Sequence, residues 1–238
     1  MIQANKNFLV IFDVGGIMVQ LNYGNKGGFV EKASEIAGIP QRDFQLWHAQ
    51  LEKKCLLGEV SAGEYYQLVR EKLKNPQISQ DDLKNLVGLL WEREIESTVC
   101  LKQRIHDAGY SIGLLSSMTD FALETLSKRH PKVFETWEGP KVYSFECGVI
   151  KPDLRIYGFF PEDTQKIFID DNLRYVETPV KKLGWLGVHY TAHIDKSEGI
   201  RSIQEGDSQA KKYSHPNLRI ANTPQELEES LRAFGVKI

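Results

Sequence analysis

Five apolar residues, Phe8-Leu-Val-Ile-Phe12, run straight into Asp13, and Gly15 and Gly16 follow at once. A run this short, stopped by glycine, predicts a strand buried on both faces, as in a parallel sheet. After Val19 the chain turns polar and glycine-rich as far as Gly28, which predicts a loop. From Phe29 to about Glu96 apolar residues recur at helical spacing. Breaks at Gly38-Ile39-Pro40, Gly58 to Ser61 and Ser79 divide this stretch into four amphipathic helices. Ser61 with Glu64 has the spacing of a capping box, and the helix it opens places Tyr65, Leu68 and Val69 on one face. The fourth helix is expected to run through Leu83, Leu86, Leu90 and Trp91.

Strands and helices then alternate. Tyr110–Leu115, Lys141–Phe145, Lys166–Ile169 and Trp185–Tyr190 read as strands. Helices are predicted over Val99–Asp107, Thr119–Lys128, Pro152–Tyr157, Val176–Leu183 and Thr223–Ala233. The polar, aperiodic stretch from His193 to Pro216 reads as an exposed excursion. Alternation of this kind implies right-handed crossovers and a Rossmann-like parallel sheet with helices on both faces. The predicted fold is therefore α/β, with a core domain of residues 1–20 and 99–238 and an inserted four-helix domain of residues 21–98.

Thirty basic residues against thirty-two acidic ones give a net charge of −2, which argues against a nucleic-acid footprint or a polybasic membrane patch. Cys55, Cys100 and Cys147 are odd in number and lack metal-ligand spacing, as expected of packing thiols in a reducing compartment. Residues 1–7 carry no charged-then-apolar leader pattern, and no apolar run is long enough to span a bilayer. A cytoplasmic setting is the default expectation.

Polar groups mark the predicted strand ends: Asp13, then Ser116-Ser117, Lys151 just past a strand, and Asp170-Asp171. In a parallel sheet these ends share one edge. Clustered carboxylates with loop carbonyls suit Mg²⁺ beside a phosphate. A hydroxyl and an ammonium suit phosphate oxygens, and a carboxylate at phosphorus can serve as nucleophile. Each feature alone has a plainer reading. The serines could cap a helix, Lys151 could be a solvated loop charge, and the acid pair could be helix caps. Glu59 reads better as an exposed turn residue, and His48, His189 and His193 share no spacing.

Taken together, Asp13-Val-Gly-Gly16, Leu114-Leu-Ser116, Gly148-Val-Ile-Lys151-Pro-Asp153 and Phe168-Ile-Asp170-Asp171-Asn172 resemble the four motifs of the haloacid dehalogenase-like (HAD) hydrolases. The order and the insertion are most similar to the helical-cap subfamily, which includes sugar phosphatases and the phosphatase domain of epoxide hydrolases. The resemblance implies a Mg²⁺-dependent phosphatase acting on a small phosphorylated metabolite. Asp13 would be nucleophile and metal ligand, and the Gly15 carbonyl a second ligand. Asp171 would be the direct acidic ligand, with Asp170 beside it. Ser116, the Ser117 amide and the Gly15-Gly16 turn would receive the phosphoryl group, and Lys151 would neutralise it and Asp13. The turn Gly58-Glu59-Val60-Ser61 falls where such caps face substrate. One departure matters: most phosphatases of this family place a second aspartate where this chain has Gly15. That leaves a metal-independent dehalogenase-type hydrolase, or a non-enzymatic protein on the same fold, as alternatives.

Overall fold

The computed structural model describes residues 8–22, 27–192 and 215–238. Six strands form one parallel sheet: β1 (Phe8–Phe12), β4 (Ser111–Ser116), β5 (Lys141–Tyr143), β6 (Gln165–Asp170), β7 (Leu186–Tyr190) and β8 (Leu218–Ala221). Their order is β5-β4-β1-β6-β7-β8. Along β1, Leu9 and Ile11 join one apolar cluster with Leu115, Phe168 and Trp185. Val10 and Phe12 join the other, with Ile112, Leu114, Ile167 and Ile169. Alternate side chains thus enter separate cores, which is why the strand reads as uninterrupted apolar sequence. The helices α5 (Glu96–Asp107), α6 (Asp120–Arg129), the short α7 (Pro131–Phe134), α10 (Leu173–Leu183) and α11 (Pro224–Ala233) connect or flank these strands.

The inserted helices are α1 (Phe29–Ala37), α2 (Gln41–Leu56), α3 (Ala62–Lys72) and α4 (Gln80–Val87). The capping box at Ser61 and Glu64 is formed, and Ser79 caps α4 through the Asp82 amide. Three expectations here need correction. The fourth helix stops at Val87, and Trp91–Glu94 is instead a strand, β3, paired antiparallel with β2, Val19–Leu21. The segment after Val19 therefore leaves the core as half of a ribbon, with Val19 opposite Glu94 and Leu21 opposite Trp91. On α3 the buried face is Tyr65, Tyr66 and Val69, while Leu68 is exposed.

Smaller differences follow the same logic. The strand at Lys141 ends at Tyr143, and Ser144–Cys147 forms a single helical turn, α8. The short helix α9 (Leu154–Tyr157) starts after Asp153, whose carboxylate caps the Arg155 amide, so Pro152 precedes it. The strand β8 had no counterpart in the reading of the sequence. Residues 193–214, most of the expected excursion, and residues 1–7 lie outside the described residues.

The insertion is fastened to the core at named points. The Ala62 amide, in the first turn of α3, donates to Asp120 Oδ2 at 2.6 Å, while Asp120 Oδ1 accepts from the Phe121 amide at 2.8 Å. One carboxylate thus serves the positive ends of two helices. Beside it, the Tyr65 and Phe121 rings stack at 3.8 Å between centroids. Gly58, at φ +71°, lets the Phe145 carbonyl approach, since a Cβ there would lie 2.2 Å from that oxygen.

Candidate active site

Register brings the acids together. Phe12 of β1 lies opposite Ile169 of β6, so Asp13 and Asp170 emerge side by side, and the Asp13 amide donates to the Ile169 carbonyl at 3.0 Å. From β1 the chain crosses to β4, and from β6 it crosses to β7, in opposite directions. That reversal opens the crevice where α/β sheets bind ligands. Carboxylate oxygens of Asp13, Asp170 and Asp171 all lie within 4.8 Å of one another.

Lys151 reaches the same point from the loop before α9. Its Nζ lies 2.5 Å from Asp170 Oδ2 and 3.1 Å from Asp13 Oδ1, with the Leu115 carbonyl at 3.5 Å. Asp13, Asp170 and Lys151 are buried, and Asp171 is half-buried. Three carboxylates thus face one ammonium. Burial, then repulsion from Asp13, pushes the Asp170 pKa up to about 6 despite the pull of Lys151. Burial and the charges of Asp170 and Asp13 hold Asp171 well above the carboxylate range. For Lys151 burial disfavours the charge, but the two aspartates outweigh it and keep the amine protonated. Asp13 Oδ1 is buried with no hydrogen-bond partner.

This donor set fits a divalent cation. Hard oxygen ligands crowded around one ammonium suit Mg²⁺, because Lys151 alone cannot balance three carboxylates held this close. Gly16, at φ +73°, makes the approach of Asp171 possible, because a Cβ at that position would sit 2.2 Å from Asp171 Oδ2. The Asp170 Oδ1 atom accepts from the Asn172 amide at 2.8 Å, and His189 Nε2 lies 2.9 Å from the Asp171 carbonyl.

Ser116 is buried at the end of β4, and Ser117 follows it. The Ser117 hydroxyl accepts from the Lys151 amide at 3.1 Å, tying the two loops together. Ser144 holds the next residue: its Oγ accepts from the Met118 amide and donates to the Met118 carbonyl, both at 3.0 Å. The Gly16 amide donates to the Val19 carbonyl at 2.9 Å. Residue 16 thus contributes space for Asp171 and a turn closed by its own amide. Glu59 is exposed, in line with its plainer reading, and His48 is buried against the Tyr65 hydroxyl at 2.9 Å. Two neighbours of Lys151 escaped the sequence. The Nζ lies 5.1 Å from the Tyr175 ring centroid and 5.5 Å from that of Phe168.

No protein-family model matches the sequence, and no curated protein is significantly similar to it. Solved structures do match. A HAD-family enzyme from Bacteroides thetaiotaomicron superposes with a TM-score of 0.64 at 20% identity, covering 81% of this chain and 97% of that one. The same enzyme has been solved in complex with magnesium and inorganic phosphate. A HAD phosphatase from Thermococcus onnurineus matches with a TM-score of 0.57 at 15% identity, covering 96% of this chain and 98% of that one. An L-2-haloacid dehalogenase from Xanthobacter autotrophicus matches at 0.54 and 14%, covering 95% and 99%. The chain has the fold of the HAD-like superfamily.

Proposed function

We propose that this protein is a Mg²⁺-dependent phosphatase that hydrolyses a small phosphorylated metabolite through an aspartyl phosphate on Asp13. The observation that carries the reading is the charge balance: three clustered carboxylates against one buried ammonium. A dehalogenase of this fold needs no metal, and the pair Asp170-Asp171 would then be a buried charge excess with no purpose. The magnesium and phosphate held by the Bacteroides enzyme agree with the phosphatase reading.

In this reading Asp13, the Gly15 carbonyl and Asp171 hold the cation, with Asp170 anchoring Lys151 beside them. Bound Mg²⁺ would supply charge neutralisation for the phosphoryl oxygens. One Asp13 oxygen attacks phosphorus as the ester P–O bond breaks. Lys151, Ser116 and the Ser117 amide donate to the equatorial oxygens, where charge spreads during transfer. Water then opens the acyl phosphate, releasing inorganic phosphate and restoring the carboxylate. Residues 21–98 form a cap whose turn at Gly58 packs on Phe145 at the rim of the core.

With glycine at residue 15, the departing oxygen takes its proton from water. General acid assistance is typically worth about 10²–10⁴-fold, so the reading favours a leaving group that needs little help, such as an anomeric sugar phosphate or an acyl phosphate. A panel of metabolite phosphates, assayed with Mg²⁺ and with a chelator, tests the proposal. Metal-dependent release of phosphate that disappears in Asp13→Asn supports it. Turnover of 2-haloacids that survives chelation would replace it with the dehalogenase reading. Equal turnover of alkyl phosphates and sugar 1-phosphates would remove the leaving-group argument.

A further inference from the structure

Lys151 is enclosed on a side that its carboxylate partners do not reach. Its ammonium directs hydrogen bonds to Asp170 and, weakly, to the Leu115 carbonyl, and pairs with Asp13. The remaining surface meets two aromatic faces, Tyr175 of α10 at 5.1 Å and Phe168 of β6 at 5.5 Å. This wall is built rather than incidental. The wholly buried Tyr157 donates its hydroxyl to the Tyr175 carbonyl at 2.8 Å, which fixes the backbone carrying the ring. The Tyr157 ring packs edge-on to Phe168 at 6.1 Å and to Trp185 at 5.6 Å, and Trp185 meets Phe168 at 6.5 Å.

We infer that Tyr175 is a positioning residue for Lys151, its ring face holding the ammonium dry and aimed at the phosphoryl site without occupying an N–H. The physics distinguishes a π face from any other neighbour. A carbonyl or carboxylate in that place would accept an N–H and hold it away from the phosphoryl oxygen. A water molecule would screen the charge. A ring quadrupole attracts the cation without competing for the N–H groups that Asp170, Asp13 and the Leu115 carbonyl engage. Desolvated, such a contact is worth enough to alter a rate by on the order of tenfold. Phe168 supplies the second face, but it is locked in the core, so Tyr175, partly buried on α10, is the face a substitution can change.

The inference rests on the phosphatase reading for the phosphoryl site at which the ammonium is aimed and for its kinetic readout. Tyr175→Leu and Tyr175→Phe are compared with the parent enzyme on p-nitrophenyl phosphate with Mg²⁺, with thermal melting recorded alongside. The expected result is a kcat about tenfold lower in Tyr175→Leu, with KM held within twofold, and most of the rate recovered in Tyr175→Phe. An unchanged kcat in Tyr175→Leu overturns the inference. So does an equal loss in Tyr175→Phe, which would give the role to the hydroxyl. If Tyr175→Leu does not fold, Tyr175→Met, flexible and without a π face, takes its place under the same criteria. If the parent enzyme hydrolyses nothing, the phosphatase reading fails and the inference is decided by chemistry at the amine. Acetic anhydride labelling, read by mass spectrometry, should modify Lys151 several-fold faster in Tyr175→Leu than in the parent or Tyr175→Phe. Equal labelling in all three would overturn it.

Discussion

Gly16→Ala puts a single methyl group into the candidate site, and its consequences follow from distances. The new Cβ would lie 2.2 Å from Asp171 Oδ2 and 2.6 Å from its Cγ, at a backbone φ of +73°. Ordinary contact requires about 1 Å more, so the carboxylate must swing away from its neighbours or the turn must open. The left-handed backbone adds about 1–2 kcal/mol for any residue with a Cβ. In a chain of this size a loss of about 2 kcal/mol lowers Tm by about 4–8 °C. Displacing a ligand matters more for the cation, because even the partners of metal ligands change affinity by about 10–100-fold. The assay is isothermal titration with Mg²⁺ together with phosphate release at saturating metal. The expected outcome is Mg²⁺ affinity and kcat/KM both reduced at least about 100-fold, with a folded protein. Gly15→Ala is the contrast for stability, since the atoms nearest its Cβ belong to the Leu21 side chain, the closest at 3.3 Å. A Gly16→Ala protein that binds Mg²⁺ as tightly as the parent would refute the assignment of Asp171 to the metal.

Other outcomes can be checked independently. In Gly15→Asp the new Cβ lies nearest the flexible end of Leu21 and the usual acid is restored, so turnover of alkyl phosphates should rise toward the range of about 10²–10⁴-fold. No gain would show that the missing acid is not what limits the reaction. Asp170 and Asp171 have folded pKa values above their unfolded ones. The folded, metal-free protein therefore binds more protons than the unfolded chain from about pH 4 up through pH 6, and its stability falls as pH rises through that window. Bound Mg²⁺ removes the repulsion, so the rise in Tm on adding it should be larger at pH 7.5 than at pH 5.0. An equal or larger rise at pH 5.0 would contradict the charge count. Away from the site, buried Lys102 donates to the Lys132, Val133 and Glu135 carbonyls at 2.8, 3.2 and 2.7 Å. Lys102→Met strands those acceptors and should destabilise the protein by about 2 kcal/mol in urea melts, with phosphate release unaltered.

What could be read from the chain depended on where the information sits. The stretch from Phe8 to Gly16 declares a doubly buried strand, its end and its acid within nine consecutive residues, and Lys166–Asp171 repeats that signature. Both were legible because local pattern and tertiary role coincide. The β2–β3 ribbon was not, since Val19–Leu21 and Trp91–Glu94 acquire strand character only from each other. The edge strand β8 carries exposed Arg219 and Ile220 and offers no apolar run to notice. At the site, the charged groups were visible as residue types at strand ends. The Tyr175 and Phe168 faces were not, because a ring contact between segments leaves no spacing to read. Nor could the sequence show that the Gly16 amide closes its own turn or that the Ser117 hydroxyl ties its loop to the one carrying Lys151.

The paired strands Val19–Leu21 and Trp91–Glu94 have an implication for how such a molecule can change over time. Both passages of the backbone into and out of the intervening helices run side by side, so the sheet experiences about seventy residues as it would a simple hairpin. Material threaded through that gateway can be lengthened, shortened or exchanged wholesale while Asp13 and its strand keep their register.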